Sequence, residues 1–231
     1  MRYNKYAMAV HPKVLEKDFE NTVDLNSISD MYLALKDKSL SDLDDDTLNR
    51  IGKYLEKAWL EVNSRLGVNL RDREKLYPLF FELNRIFGGK KKAKAAYRGV
   101  RLSSALDSNA ISKTYPNSIN EPEVLEHLES LAYGLRSWTK DVDMAQDWAK
   151  GVVEGDGESA IGRDLVIFQI QKPKIILDAD KVIDYYYENL DTYTHMFDTE
   201  EVVLNVKNPK VLEIKRYSHE PKIYHVVIKD R

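Results

Sequence analysis

Near residue 95 the chain changes its hydrophobic rhythm, and that change limits the folds open to it more than any other feature. Before it, apolar residues recur at helical spacing. In "SDLDDDTLNRIGKYLEKAWLEVNSRLG" the residues Leu48, Ile51, Leu55, Ala58, Trp59 and Val62 form one stripe. Ser41 and the acidic residues after it suit the positive end of that helix, and Gly67 stops it. "RDREKLYPLFFELNRIFGG" reads as another helix, bent or started near Pro78 and ended by Gly88-Gly89. "SISDMYLALKDK" is a shorter one. After residue 95 come "AAYRGVRL", "YGLRSWT", "DLVIFQI", "KIILD", "EEVVLNV", "KVLEIKRY" and "KIYHVVIK". These are rich in β-branched and aromatic residues, with turn residues between several of them, as short strands are. Helices are expected to interrupt at 121–134 and 142–150. Strands clustered after a helical start predict an α+β fold and argue against alternating α/β. The boundary divides the chain into an N-terminal helical subdomain, 1–94, and a strand-rich domain, 95–231. The glycine-rich "GVVEGDGESAIG" reads as an exposed loop.

Composition narrows the chemistry. At 231 residues with 32% charged residues and a net charge of −3, no general field draws in nucleic acid or an anionic membrane. The chain has no cysteine, which excludes disulfides, thiolate metal sites and cysteine nucleophiles. No run of about 18 apolar residues predicts a membrane span. The N-terminus has no apolar segment of signal-peptide length, so a soluble, cytoplasmic protein is expected. The five histidines are scattered without metal-ligand spacing, and no metal is expected. GxGxxG, P-loop and GxSxG signatures are all missing. "DLDDD" lacks the turn glycine and distal glutamate of a calcium loop and reads as a helix start. "KKKAK", 90–94, stands alone and reads as a solvated turn or helix end.

Three features remain. Arg98, in "YRG", stands inside a strand among apolar neighbours; such a guanidinium needs an acceptor and forks well onto phosphate or carboxylate. A surface ion pair at a strand edge would also satisfy it, and for this feature alone that is the better reading. In "RSWTKDVDMAQDWAKG" a strand ends in Ser137-Trp138-Thr139, whose alternation puts both hydroxyls on one face. Asp141 then caps a short helix. In "FDTEEVVLNV" two glutamates, Glu200 and Glu201, head an apolar strand. Each feature alone is ordinary.

In their order and spacing, "YRG", "SWT" and "TEEVVL" together resemble the R-S-E class of mono-ADP-ribosyltransferases. That family includes arginine-modifying toxins and phage enzymes that alter host proteins early in infection. The resemblance covers roughly residues 95 to 228. It implies a mixed two-sheet β core and an enzyme that cleaves the nicotinamide–ribose bond of NAD⁺, transferring ADP-ribose to a macromolecular acceptor. A host protein is the expected acceptor, with nucleic acid left open. NAD⁺ serves as substrate, no metal is needed, and a phage-encoded enzyme would act in the host cytoplasm. Carried onto this chain, Glu201 becomes the catalytic carboxylate, Arg98 with Gly99 holds the NAD⁺ phosphates, and Ser137 supports the glutamate and the nicotinamide ribose. Thr139 completes the strand motif, with Trp138 between the two hydroxyls and packing as its default role. Tyr193 and Phe197, in the loop "YYYENLDTYTHMFD" before the glutamates, would meet the acceptor or pack that loop down.

The chemistry suits these residue types. The departing pyridinium is already cationic, so the difficulty is the oxocarbenium-like charge on the ribose. A carboxylate near the 2′-hydroxyl stabilises that charge and fixes the sugar. Two residues before the catalytic glutamate the family carries glutamate or glutamine, which contacts the acceptor, whereas this chain has Thr199. The acceptor side therefore falls to Thr199 itself, or to Asp198 or Glu200 if the loop carries a bulge. The departure also motivates two alternatives: a catalytically silent, transferase-like binding or virion-associated module, and an NAD⁺ glycohydrolase. Register decides between the glutamates. Glu201 shares a face with Val203 and Asn205, and Glu200 shares one with Val202, Leu204 and Val206, the more apolar set. A cleft on the Val203 side makes Glu201 catalytic, and this reading is preferred because a carboxylate facing an apolar core is costly.

Overall fold

The structure, a computed structural model, describes residues 25–52, 76–101, 122–150, 165–189, 200–219 and 222–231. Its helices are α1 (Leu25–Leu35), α2 (whose described part is 45–52), α3 (Tyr77–Ile86), α4 (Pro122–Ala132), α5 (Val142–Lys150) and α6 (Ala179–Asn189). The strands are β1 (Ala95–Arg101), β2 (Gly134–Thr139), β3 (Leu165–Gln171), β4 (Ile175–Asp178), β5 (Glu201–Val206), β6 (Pro209–His219) and β7 (Lys222–Asp230).

The helices start and stop where local chemistry permits. Asp44 caps α2, accepting from the Thr47 N–H at 2.7 Å. Ser41, the expected cap, instead lies in a short 3-10 turn, Leu40–Asp42, opened by the bond from the Ser39 N–H to Asp42. The carboxylate three residues later has the better reach to the first orphan N–H groups of α2. Pro78 sits in the first turn of α3, where its missing N–H loses no helical bond. That helix closes as a Schellman motif: Gly89 N–H reaches the Asn84 carbonyl, Gly88 N–H reaches that of Arg85, and Gly88 takes φ +67°. Arg85 ties down the turn that follows α1, donating to the Lys38 carbonyl at 2.7 Å. The expected helices at 121–134 and 142–150 are α4 and α5. α6 is an addition, because "YYYEN" continues a helix begun at Ala179 where a loop was expected.

All seven expected strands form, in one mixed sheet of order β4-β5-β2-β1-β3-β7-β6. Only the β3–β7 pair is parallel. Pairing is uneven. β1 pairs β3 along its whole length, and β2 pairs β5 along its whole length. β1 and β2 meet only at Tyr97 and Thr139. In place of two separate sheets, the strands make two well-paired halves joined at this narrow seam.

Both faces of the sheet are covered, which explains near-continuous apolar runs such as "LVIF" in β3. On one face Met31, Leu35, Ile51, Leu79, Phe80 and Leu83 of the N-terminal helices pack with Leu135, Leu177 and Val203 of the sheet. Tyr186 of α6 closes this layer, its hydroxyl donating to the Leu48 carbonyl at 2.6 Å. The described N-terminal helices thus share a core with β2, β4 and β5. On the other face Trp138, Phe168, Val202, Leu204 and Tyr224 pack with Val124 and Leu128 of α4. α5 lies over β1 and β3, burying Ala145 and Ala149 against Leu165 and Ile167. Among the described residues no helix is long and apolar enough to cross a membrane.

Candidate active site

Antiparallel register brings the hydroxyl motif and the glutamate motif together. Thr139 pairs directly with Glu201, and Ser137 pairs with Val203. Paired residues share a face and hold their Cβ atoms roughly 4.5–5.5 Å apart. Ser137, Thr139, Glu201 and Val203 therefore line one side, while Trp138, Val202 and Leu204 enter the core on the other. Exposure is 1% for Ser137, 0% for Thr139 and 4% for Glu201, whereas Glu200 is exposed to solvent. On the Val203 side Glu201 is the glutamate that shares a face with both hydroxyls, and Val203 itself is buried there against the N-terminal helices.

The two hydroxyls differ in use. Thr139 Oγ1 accepts from the Asp141 N–H at 3.0 Å, and Asp141 Oδ1 accepts from the Asp143 N–H at 2.7 Å. Together they turn the chain from β2 into α5, with Asp141 as the expected cap. Ser137 Oγ is buried and has no hydrogen-bond partner. A buried hydroxyl without a partner costs about 1–3 kcal/mol, so its position wants a polar group supplied from elsewhere.

Arg98 arrives from the seam. By alternation it leaves β1 on the side opposite Tyr97, hence on the Trp138 face and not that of Thr139 and Glu201, and it reaches β2 where pairing between the strands has ceased. Its Nη1 donates to the Ser137 carbonyl at 2.7 Å, so the arginine and serine motifs touch. Gly99 has a different reason to be glycine. A Cβ there would stand 1.8 Å from the Ala145 carbonyl oxygen and 2.8 Å from the Ala149 nitrogen. It permits α5 to lie directly on β1, and that helix covers it. Trp138 is fully buried in the core on the face opposite the hydroxyls, in its default packing role. Tyr193, Phe197 and Thr199, the acceptor-side candidates, and the glycine-rich stretch from 151 to 162 lie outside the described residues.

The start of β5 is held by residues that sequence reasoning did not single out. Glu200 takes φ +48°, a left-handed conformation that costs a non-glycine residue roughly 1–2 kcal/mol. Its carbonyl accepts from the Lys140 N–H at 2.9 Å. The N–H of the same peptide unit, on Glu201, donates to Asp180 Oδ1 at 2.9 Å. The Lys140 ammonium lies 2.5 Å from Asp180 Oδ2 and 3.2 Å from Asp178 Oδ1. Asp178 is almost wholly buried; its Oδ2 accepts from the Lys90 N–H at 3.1 Å, and its own N–H donates to Asn84 Oδ1 at 2.8 Å. Gly89 makes room for this, since a Cβ there would meet Asn84 Oδ1 at 2.0 Å.

Charge in this cluster is tightly constrained. Burial pushes the Asp180 carboxyl up, with Asp178 adding to the rise and the Lys140 bond opposing it. Burial also opposes the charge on Lys140, yet Asp180 and Asp178 together hold its ammonium above the ordinary lysine value. One cue was visible in the sequence: "IILDAD" plants an aspartate directly after an apolar strand run, where burial demands a partner. Its partners, Asn84, Lys90 and Lys140, stand far away along the chain. Among the described residues no group of three or more histidine, aspartate or glutamate side chains is placed to hold a metal ion.

No protein-family model matches the chain, and no curated protein matches it. Solved structures similar to it include three ADP-ribosyltransferases. The ADP-ribosyltransferase Vis, in complex with an inhibitor, shares 14% identity over 90% of this chain and 82% of its own, with a TM-score of 0.42. Plx2a, an ADP-ribosyltransferase toxin from Paenibacillus larvae, shares 14% over 90% and 96%, with a TM-score of 0.34. The ADP-ribosyltransferase HopU1 of Pseudomonas syringae shares 16% over 78% and 66%, with a TM-score of 0.34. At that distance the likenesses assign no activity to this chain.

Proposed function

We propose that the chain is an NAD⁺-dependent mono-ADP-ribosyltransferase of the R-S-E class, with residues 1–94 as a helical annex and 95–231 as the catalytic unit. One observation carries the reading. Three motifs far apart in sequence fall on three neighbouring strands, with Glu201 paired to Thr139 and Arg98 bonded to Ser137. In this reading NAD⁺ binds over the Ser137–Glu201 face as the substrate. The glycosidic C–N bond breaks, nicotinamide leaves with the bonding electron pair, and the ribose carbon gathers positive charge. The Glu201 carboxylate, near the ribose 2′-hydroxyl, stabilises that charge, and an acceptor nucleophile then bonds to the carbon and loses its proton. Ser137 Oγ finds in the ligand the partner it lacks in the protein. Arg98 braces β2 through the Ser137 carbonyl, and in this reading its guanidinium is the group suited to fork onto the diphosphate. Glu200, exposed at the mouth of β5, stands on the acceptor side.

The test is nicotinamide release from NAD⁺ by the full chain and by E201Q and E200Q. Loss of a transition-state carboxylate is expected to slow release about 100- to 1,000-fold in E201Q, with a far smaller change in E200Q. Equal rates in wild type and E201Q would sink the assignment. Labelled NAD⁺ offered with a lysate then separates transfer from hydrolysis, since a glycohydrolase yields ADP-ribose and labels nothing. A second reading, a silent transferase-like fold, gains from the near-complete burial of Ser137, Thr139 and Glu201. Calorimetry on the folded chain distinguishes it by finding no NAD⁺ binding.

A further inference from the structure

We infer that Lys140 and Asp180, braced by Asp178, form a peptide clamp that sets the position of Glu201; its effect on turnover rests on the transferase reading above. The carbonyl of Glu200 and the N–H of Glu201 belong to one peptide unit. A trans peptide points these two groups in opposite directions. Lys140 takes the carbonyl with its backbone N–H, and Asp180 takes the N–H with its carboxylate. The unit is thereby gripped from both edges, by β2 on one side and by α6 on the other. The Lys140 bond is the last of the β2–β5 pairing, closing it beside Thr139–Glu201, whereas the Asp180 bond lies outside the ladder and holds a peptide whose Glu200 is in a left-handed conformation.

The two gripping groups are also joined to each other. The Lys140 ammonium bonds the same Asp180 carboxylate that holds the Glu201 N–H, using the oxygen left over. Asp178 supplies a second carboxylate to that ammonium and is itself fixed by Asn84 and Lys90. The cluster is therefore continuous from the end of α3 to the first peptide of β5. Lys140 directly follows Thr139, the residue paired with Glu201, so the lysine grips the glutamate's peptide immediately beside that pair. Asp178, Asp180 and Lys140 are positioning residues, acting through the backbone of Glu201. The device belongs to this chain's own residues and needs no ligand to form.

The test compares the full chain with D180A, D180N and K140M. Amide hydrogen exchange is read at Glu201, with β3 as internal reference, and NAD⁺ turnover is read as kcat and KM. D180A is expected to speed exchange at Glu201 by roughly tenfold or more while β3 is unchanged, as local opening without global unfolding does. Its kcat should fall about 10- to 100-fold from misplacement of the carboxylate, with KM for NAD⁺ little altered. D180N keeps an oxygen to accept from the Glu201 N–H and should restore most of the protection and most of kcat. K140M keeps its backbone N–H on Glu200 and should fall between the two. Unchanged Glu201 protection in D180A, or a kcat loss that follows only the folded fraction, overturns the clamp. A wild-type chain that turns over no NAD⁺ overturns the functional reading, and the exchange comparison still decides whether the clamp exists.

Discussion

Asp44 and Asp180 both stand at the start of a helix, yet they do opposite kinds of work. Asp44 is exposed and serves its own helix, capping the N–H of Thr47 three residues on. Asp180, in the first turn of α6, is half-buried and spends both oxygens on distant chain: Lys140, 40 residues back, and Glu201, 21 residues ahead. Electrostatics separate them too. The Thr47 bonds hold the Asp44 carboxyl below its ordinary value, whereas burial pushes that of Asp180 up. A helix-start aspartate can thus be a local stop signal or a tertiary anchor, and the difference lies in what the fold brings to its oxygens.

The largest effect should come from removing the cation of the tertiary cluster. K140M leaves Asp178 and Asp180 facing each other without compensation, and breaking such a pair should destabilise the fold by about 2–3 kcal/mol. That lies below the range for fully buried pairs because Lys140 is partly open to solvent. Urea denaturation measures it. Adding D180N to K140M should recover part of the loss by removing one orphaned charge, and a double variant less stable than K140M would break the comparison. Of comparable size is the catalytic contrast: E201Q should slow nicotinamide release about 100- to 1,000-fold and E200Q far less, although the residues are adjacent. D44A should lower the denaturation midpoint by less than K140M does, because its bond is local and exposed.

The smallest effect, and the sharpest, is in pH. Asp44 titrates below its unfolded value of 3.8, so its contribution is present above pH 3.8 and fades as pH falls through the folded value. The gap between wild type and D44A should therefore close on acidification below 3.8. Asp180 titrates above 3.8, so the fold binds its proton more tightly than the unfolded chain. Its ionisation withdraws stability as pH rises from 3.8 through the folded value, and D180N should lack that decline. Lys140 titrates above 10.5, so its contribution is complete below that pH and lost only as pH climbs past the folded value. Denaturation midpoints across pH for D44A and D180N should bend in opposite directions.

Much of the architecture was readable from local pattern. The seven strands and the helices α1, α3, α4 and α5 lie where periodicity and turn chemistry put them, because each depends on residues within a few positions of one another. Gly88 and Pro78 mark the ends of α3 for the same reason. Finer positions escaped when two local signals competed. Ser41 and Asp44 both suit a cap, and reach to the first N–H groups of α2 decided for Asp44. "YYYEN" is aromatic enough for a strand or loop, yet α6 carries it because Val182 and Tyr186 find a core against the N-terminal helices. The same split runs through the site. Alternation in "SWT" and "EEVV" already put Ser137 with Thr139, and Glu201 with Val203, each on a common face.

The sequence by itself determined the helical-then-strand order, the two-residue rhythm of each strand and the three short motifs that carry Arg98, Ser137 and Glu201. Local sterics and side-chain alternation fix such features without knowledge of the rest of the chain. Only the tertiary structure decided that Thr139 faces Glu201, that Arg98 bonds the Ser137 carbonyl, that Gly99 exists for a helix, and that Lys140, Asp178 and Asp180 hold the first peptide of β5. These are pairings between segments tens of residues apart. Their partners are selected by sheet order and burial, which no local window of sequence contains.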